Sequence, residues 1–463
     1  MALTNNKTKK LLALAIALLA IFNIASCSSG VAKKGDGDDR DLSFATLEVV
    51  PPKTTASIKN DALPAGEGCT ILLESSVASS FTDGEGLVLS DEISVRDARI
   101  KSKYGITVTE IVSQSLVTDV MADYLSGSAK YDIIIMGASS FASLAPTGAL
   151  ANLSSIEGYL SEGENYGVDK NTQAKLSILG KLYALTGDAL TGNLSAASVM
   201  SVDNKMLSSQ GITADELSKT ILDGGFTYEV MLKYEKASSL LMINEDQAFS
   251  LFLSSALPIY RTDKVTDMPE ISDFCVTGSD KSRLIGSIYD NALSLFGHEK
   301  TVNKKGSSDP LFTLTTLGEF ESALLSGKDI SLAPMPKLYQ SQLSYSCPIV
   351  TESASFAALP SAKATPTALN LLNILFYESA DFADIRAAKI GEVSKSEYTA
   401  EIMKLIDETK SLELVSIFGW GDFGELLSTC LSQGISTNQF LTRCEERARA
   451  AQAAMEIMIN KMS

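Results

Sequence analysis

One histidine and one tryptophan stand among 463 residues, and the six cysteines include no Cys-x-x-Cys pair. A single imidazole, His298, removes most histidine-based catalysis and every multi-histidine metal site at once. It lies in the polar run Gly297-His298-Glu299-Lys300, where an exposed loop residue is expected. Positive charge is also scarce. With 39 Lys and Arg against 56 Asp and Glu, the formal net charge is −17, which repels phosphate backbones and anionic head groups and argues against nucleic-acid binding. Local catalytic signatures are missing too: there is no G-x-x-x-x-G-K-[ST], no H-E-x-x-H, no G-x-S-x-G, and no G-x-G-x-x-G behind a strand. A carboxylate-pair hydrolase needs no local motif, because two acids about 5–9 Å apart in space suffice, and that alternative stays open.

Long apolar runs are confined to the N-terminus. Residues 11–22 are twelve uninterrupted apolar residues behind Lys7, Lys9 and Lys10. Such a helix is too short to cross roughly 30 Å of hydrocarbon, so the run reads as the core of an export signal. Ile24-Ala25-Ser26-Cys27 matches the lipobox of bacterial lipoproteins. The expectation is a signal peptide over 1–26 and a lipidated Cys27, with secretion past a chance cysteine as the plainer alternative. Cleavage removes three lysines and no acids, leaving 36 basic against 56 acidic residues. The next stretch, 27–66, carries Ser28-Ser29-Gly30, the Asp-rich run Asp36-Gly37-Asp38-Asp39-Arg40-Asp41, and Pro51-Pro52. It lacks apolar periodicity and the full spacing of a calcium loop, so it reads as a solvated tether. At ~5–6 Å × √n, about 40 such residues reach ~35 Å from the membrane.

With Cys27 spent on lipid, Cys69, Cys275, Cys347, Cys430 and Cys444 remain. On one continuous helix Cys430 and Cys444 would lie ~21 Å apart, beyond the ~7 Å bridging limit, and Gly434 is expected to break that helix. Neither a zinc site nor a dense disulfide framework is expected; one disulfide and free thiols both stay open.

The body alternates strand and helix. Thr70-Ile71-Leu72-Leu73 predicts a strand. Residues 89–104 predict a helix with Asp91, Glu92, Arg96, Arg99 and Lys103 on its charged face and Ile93 and Ile100 on the other, stopped by Gly105. A second strand over 106–111, a helix over 117–125 and an apolar run over 131–136, typical of a central strand buried on both faces, complete an α/β layout with a mainly parallel sheet. Thr213-Ala214-Asp215-Glu216 is a capping box, Thr365-Pro366 opens a helix over 368–378, and 438–462 is one long helix with a core-facing Ala and Met stripe. No second apolar run reaches 18 residues, and no repeat of fixed period is visible.

Several stretches resemble the extracellular solute-binding proteins of bacterial ABC importers, above all those for sugars. The helix Ser90-Asp91-Glu92-Ile93 running to Lys103-Tyr104-Gly105-Ile106-Thr107-Val108 is similar to the family's first helix and second strand. Ser126-Gly127 with Tyr131-Asp132-Ile133-Ile134 and the turn Gly148-Ala149-Leu150-Ala151-Asn152-Leu153-Ser154 follow in the family's order. Then come Gly180-Lys181-Leu182-Tyr183-Ala184-Leu185, Val202-Asp203-Asn204-Lys205 with Gly211-Ile212, Gly225-Phe226-Thr227-Tyr228-Glu229, and Ala333-Pro334-Met335-Pro336-Lys337 up to Tyr345. Phe226 stands where the family usually has Trp, and Thr186 where it has Pro.

The resemblance implies a two-lobed periplasmic-binding-protein-like fold of type II, each lobe a mainly parallel sheet flanked by helices, joined by a hinge. Lobe one would take 67–176 and 336–380, lobe two 177–335 and 381–463. It also implies a lipid-anchored receptor on the extracytoplasmic face, without cofactor, metal or covalent chemistry. A small solute, most readily a carbohydrate, would be captured between the lobes and passed to the membrane subunits of the importer by a monomer. A lipid-anchored surface hydrolase or interaction protein on a similar fold is the alternative.

Loops at the carboxyl ends of parallel strands face such a cleft, which selects Glu74, Ser75 and Ser76 after the first strand, and Ser139 and Ser140 after the third. For the serines, ordinary turn chemistry is an equal alternative. Asp188, just past the crossing, could meet a hydroxyl or an ammonium. Trp420 and Asp422 sit in the Gly-rich segment Phe418-Gly419-Trp420-Gly421-Asp422-Phe423-Gly424 behind an expected strand over 412–417. An aromatic face there suits a sugar's C–H face as well as it suits a core anchor. Tyr183 and Tyr345 flank the expected crossings.

Overall fold

The computed structural model describes residues 68–82, 88–159, 167–169, 172, 175–234, 239–243, 247–262, 269–271, 274–298, 301–302, 310–339 and 341–462. The signal, Cys27 and the tether lie outside the described residues. The first strands, β1 (Gly68–Glu74), β2 (Thr107–Ser113) and β3 (Ile133–Gly137), alternate with α1 (Ser90–Tyr104) and α2 (Leu116–Ser126), and α3 (Ala138–Leu144) follows. Then come β4 (Ser198–Asp203), β5 (Leu241–Met242), β6 (Thr301–Val302), β7 (Phe312–Thr316) and β8 (Ile330–Pro334), with helices α4 (Ala248–Leu253), α5 (Asp280–Phe296) and α6 (Leu317–Leu325). The chain ends through β9 (Cys347–Pro348), β10 (Ser355–Ala358), α7 (Pro366–Tyr377), α8 (Phe382–Val393), β11 (Lys410–Ser411), α9 (Leu414–Ile417), α10 (Phe423–Ser432) and α11 (Thr437–Met462).

Local chemistry explains these elements. Every residue of β3 is buried, as a strand covered on both faces requires, whereas β2 shows most of its side chains to solvent as the sheet's open edge. Helix α1 stops at Gly105, whose φ of 70° only glycine adopts cheaply and whose N–H reaches the Lys101 carbonyl at 3.1 Å. Thr213 and Glu216 form the expected capping box, and Thr316 and Glu319 form a second one opening α6. At α7 the Thr365 hydroxyl accepts the Ala368 N–H at 3.2 Å ahead of a first-turn Pro366.

The strands form two large sheets, ordered β2-β1-β3-β10 and β6-β5-β7-β4-β8. In each, three neighbouring strands run parallel, and the next strand is antiparallel: β10 against β3 in the first, β4 against β7 in the second. Both antiparallel strands are exchanged. The chain enters the second lobe directly as β4 and returns to the first as β10. Each sheet thus holds a strand that continues from the crossing, and the two lobes are threaded through one another.

The crossings lie side by side. Ala197 bridges Ile349 antiparallel, and the Val350 N–H reaches the Ala196 carbonyl at 2.9 Å. β9 pairs in parallel with β11, Cys347 opposite Lys410 and Pro348 opposite Ser411. This narrow ribbon of three extended segments joins the two sheets. Leu185 still bridges Ala357 of the first sheet, while Lys337 bridges Thr227 and Tyr345 still packs in the second lobe.

Three further expectations change. Arg96 does not belong to an exposed charged face: it is buried, with its guanidinium 4.3 Å over the Phe81 ring, Nη2 donating to the Phe81 carbonyl and Nε to Asp97. Its long stem fills an apolar position that a periodicity argument assigns by charge alone. Residues 412–417 are not a strand; Leu414–Ile417 is one helical turn, because Gly419 at φ 64° and Gly421 at φ 75° redirect the chain. His298 is half-buried in the turn after α5, its carbonyl accepting the Thr301 N–H at 2.8 Å. The five described cysteines are buried free thiols.

Candidate binding site between the lobes

The carboxyl ends of β1 and β3 are fastened together. Glu74 Oε2 accepts the N–H of Gly137, the residue before α3, at 2.8 Å, and a side chain added at Gly137 would sit 3.5 Å from that carboxylate. Ser75 donates its hydroxyl to Gln114 Oε1 at 3.0 Å and its N–H to the Ser113 carbonyl at 2.9 Å, which ties the end of β2 to the same corner. Ser76 and Ser139 are exposed, whereas Ser140 is buried beneath them. The structure therefore brings Glu74, Ser75 and Ser139 to one polar edge, at the strand ends where open α/β sheets bind ligands.

An aromatic column rises from that edge. Phe356 on β10 stacks on Phe141 of α3 at 4.9 Å, Phe141 meets Phe418 at 5.8 Å, and Phe418 stacks on Trp420 at 4.8 Å with the planes 12° apart. Tyr260, in the segment after α4, completes it 6.5 Å from Trp420 and donates its hydroxyl to the Ser177 carbonyl at 3.3 Å. Trp420 is 5 % exposed and Phe418 half-buried. The column links the helix that carries Ser139 and Ser140 to the C-terminal segment.

Behind the ribbon the chemistry is ionic. Lys410, at the start of β11, lies 2.6 Å from Asp407 and 3.4 Å from Asp169, and these carboxylates hold its ammonium above the usual lysine range despite burial. Asp188 borders the same small cavity with Thr191, Asn193 and Arg386. Burial, and then the Asp407 carboxylate, push Asp188 well above the ordinary carboxylate range, with Lys410 opposing. The structure thus places Asp188 among these groups, apart from the edge that holds Glu74. Beside it, Asn193 donates to Thr186 and to the Ser355 carbonyl at 2.9 Å and accepts the Ser355 N–H at 2.7 Å, so the two crossing segments share one buried amide.

The remaining candidates are placed elsewhere. The Tyr345 hydroxyl accepts the Phe226 N–H at 3.0 Å and donates to the Ile221 carbonyl at 2.9 Å, a buried staple of the second lobe. Tyr183 is buried, and burial raises its hydroxyl pKa. Asp422, at φ 42°, reaches Arg447 of α11 at 3.4 Å on the exposed side of the Gly-rich segment.

Sequence reasoning missed α8, which grips both lobes. Arg386 binds both oxygens of Glu321 on α6 at 2.6 Å and also donates to the Thr191 carbonyl at 3.1 Å and to Ser195 Oγ at 2.7 Å. One turn on, Lys389 binds Glu92 of α1 at 2.9 Å and the Val88 carbonyl at 3.1 Å, while Phe382 packs on Leu89 and Ile93. A signal was present: Phe382, Arg386, Lys389 and Ile390 fall at i, i+4, i+7 and i+8, which puts two cations into an apolar stripe.

No protein-family model matches the chain, and neither does any curated sequence. Solved structures do. The chain is similar to a cyclo/maltodextrin-binding protein complexed with maltotetraose, with TM-score 0.54, 11% identity, and 83% of this chain and 97% of that one covered. It is equally similar, with TM-score 0.54 and 12% identity over 84% and 98%, to the galacto-N-biose-/lacto-N-biose I-binding protein of the ABC transporter from Bifidobacterium longum. A third is UgpB from Mycobacterium tuberculosis in complex with glycerophosphocholine, with TM-score 0.51 and 14% identity over 84% and 100%. At such identities the likeness shows the fold, and the fold is the type II two-lobed one that both sheet orders describe.

Proposed function

We propose that the chain is an extracytoplasmic receptor that captures a small solute, most readily a carbohydrate, between its lobes and presents the closed form to the membrane subunits of an ABC importer. The observation that carries this reading is the placement of β4 and β10 on either side of a narrow ribbon, which joins two α/β bodies through few extended segments beside α8. A solute touching both lobes stabilises the closed state by its differential affinity, and no covalent step is needed. The polar corner of Glu74, Ser75 and Ser139 supplies hydroxyl and carboxylate partners, and the rim of Phe418 and Trp420 an apolar edge suited to a sugar ring. The maltotetraose and lacto-N-biose complexes of proteins with this fold support the carbohydrate preference. The lipobox supports attachment through lipid on Cys27, and the net negative charge keeps the body off anionic head groups. A monomer that is not an enzyme is part of the same reading.

A thermal-shift screen against mono- and oligosaccharides, glycerophosphodiesters, polyamines and amino acids tests it. One class, expected to be saccharide, raises the unfolding midpoint progressively as its concentration passes Kd, by about 2.7 kcal/mol of stabilisation at 100 Kd. Silence from every solute, together with turnover of a glycan that carboxylate variants lose, would establish the hydrolase alternative instead.

A further inference from the structure

Three of the five buried thiols gather at one helix. Cys275 donates its thiol to the Leu441 carbonyl of α11 at 3.6 Å, and Leu441 lies one turn before Cys444. Two residues after Cys275, Thr277 donates both its N–H, at 3.2 Å, and its hydroxyl to Glu445, while the Ile271 N–H reaches Gln452 at 2.9 Å. The described parts of 271–277 therefore lie along α11 at three separate points, with Cys275 held between Leu441 and Glu445. Cys444 is the neighbouring thiol on α11, and both side chains are buried. Cys430, on α10, is the neighbouring third thiol.

We propose that Cys275 and Cys444 are a disulfide-forming pair that joins the 271–277 segment to α11. Cys275 already touches the helix one turn before Cys444, and the hydrogen bonds on either side fix the segment, so the ~2.05 Å bond needs the two side chains to turn toward each other. The chemistry is thiol–disulfide exchange with a small disulfide oxidant. The thiolate of one cysteine attacks the oxidant's sulfur and expels one thiolate. The second cysteine, deprotonated, then attacks the mixed disulfide and expels the other. Two protein thiols and one oxidant disulfide become one protein disulfide and two small thiols, so the two electrons leave with the oxidant. The neighbouring Cys275 thiol, and then burial, raise the Cys444 thiol well above its ordinary range and keep the thiolate rare in the folded state, which favours closure while the chain folds or opens locally. The oxidising compartment rests on the extracytoplasmic reading; the pairing itself does not.

The test uses the full chain with glutathione disulfide, once on folded protein and once during refolding. The expected result is the loss of two thiols, a cross-linked peptide pair containing Cys275 and Cys444, and a rise in unfolding midpoint that dithiothreitol abolishes. Cys275→Ser removes all three effects, whereas Cys69→Ser keeps them. Absence of the cross-link in both arms, or a bridge between Cys430 and Cys444 in its place, overturns the pairing. Solute binding plays no part in the readout, so failure here leaves the receptor reading standing.

Discussion

Arg386→Met destabilises the protein by about 3–5 kcal/mol, the range seen when one partner of a buried ion pair is removed. Arg386 and Glu321 are 5 % and 4 % exposed, and the guanidinium holds both carboxylate oxygens at 2.6 Å. Methionine keeps most of the apolar stem but leaves Glu321 charged in a dry site and frees the Thr191 carbonyl and Ser195 Oγ. Replacing both members, as Arg386→Met with Glu321→Leu, recovers most of the loss, because two apolar groups need no partner. Urea unfolding of the two single variants and the double variant gives the coupling directly. A cost under about 1 kcal/mol for Arg386→Met would mean that α8 is not fixed to the second lobe by this pair.

Gly187→Ala has an effect at least as large, for a steric reason. Gly187 sits where the chain leaves the first lobe, with φ at 156°, and a Cβ there would lie 2.0 Å from the Gly167 carbonyl oxygen and 2.8 Å from Val168 Cα. Both obstacles are backbone and cannot swing aside. The approach also carries hydrogen bonds from the Asp188 N–H to the Gly167 carbonyl and from the Asp169 N–H to the Thr186 carbonyl, each 2.8 Å. Alanine must break this packing, so a loss above about 4 kcal/mol, or failure to fold, is expected. Gly211→Ala is the control: its φ of 82° is strained, but nothing stands within 4 Å, and the cost stays near 1–2 kcal/mol. Circular dichroism and denaturation midpoints separate the two cases, and equal costs would contradict the close approach at the crossing.

Much of the first lobe can be read from its residues because its contacts are local in the chain. β1, α1, β2, α2 and β3 follow one another, each with its own period and stop, so pattern and structure agree within a residue or two. The exchanged strands cannot be read this way. Ser198–Asp203 and Ser355–Ala358 take their antiparallel places from pairing with Phe312–Thr316 and Ile133–Gly137, far away in sequence. Glu74 and Ser75 close β1 and Ser139 follows β3, as the sequence pattern indicates. Tyr345 and Asp188 are candidates for their place beside the expected crossings, and the fold gives the Tyr345 hydroxyl to Ile221 and Phe226 and sets Asp188 in the cavity it shares with Asp407 and Lys410. Charge masks the positions of Arg96, Arg386 and Lys389 on apolar faces, so Arg96 reads as part of an exposed charged face and α8 gives no apolar stripe.

The single tryptophan stands in the aromatic column between α3 and the C-terminal segment, 4.8 Å from Phe418 and 6.5 Å from Tyr260. That position makes Trp420 an intrinsic reporter of closure. Titrating the full chain with saccharides while recording tryptophan emission should give a saturable change, with the same Kd as the rise in unfolding midpoint. Emission unmoved by a solute that does raise the midpoint would contradict capture between the lobes, and no response of either signal to any solute would contradict the receptor account itself.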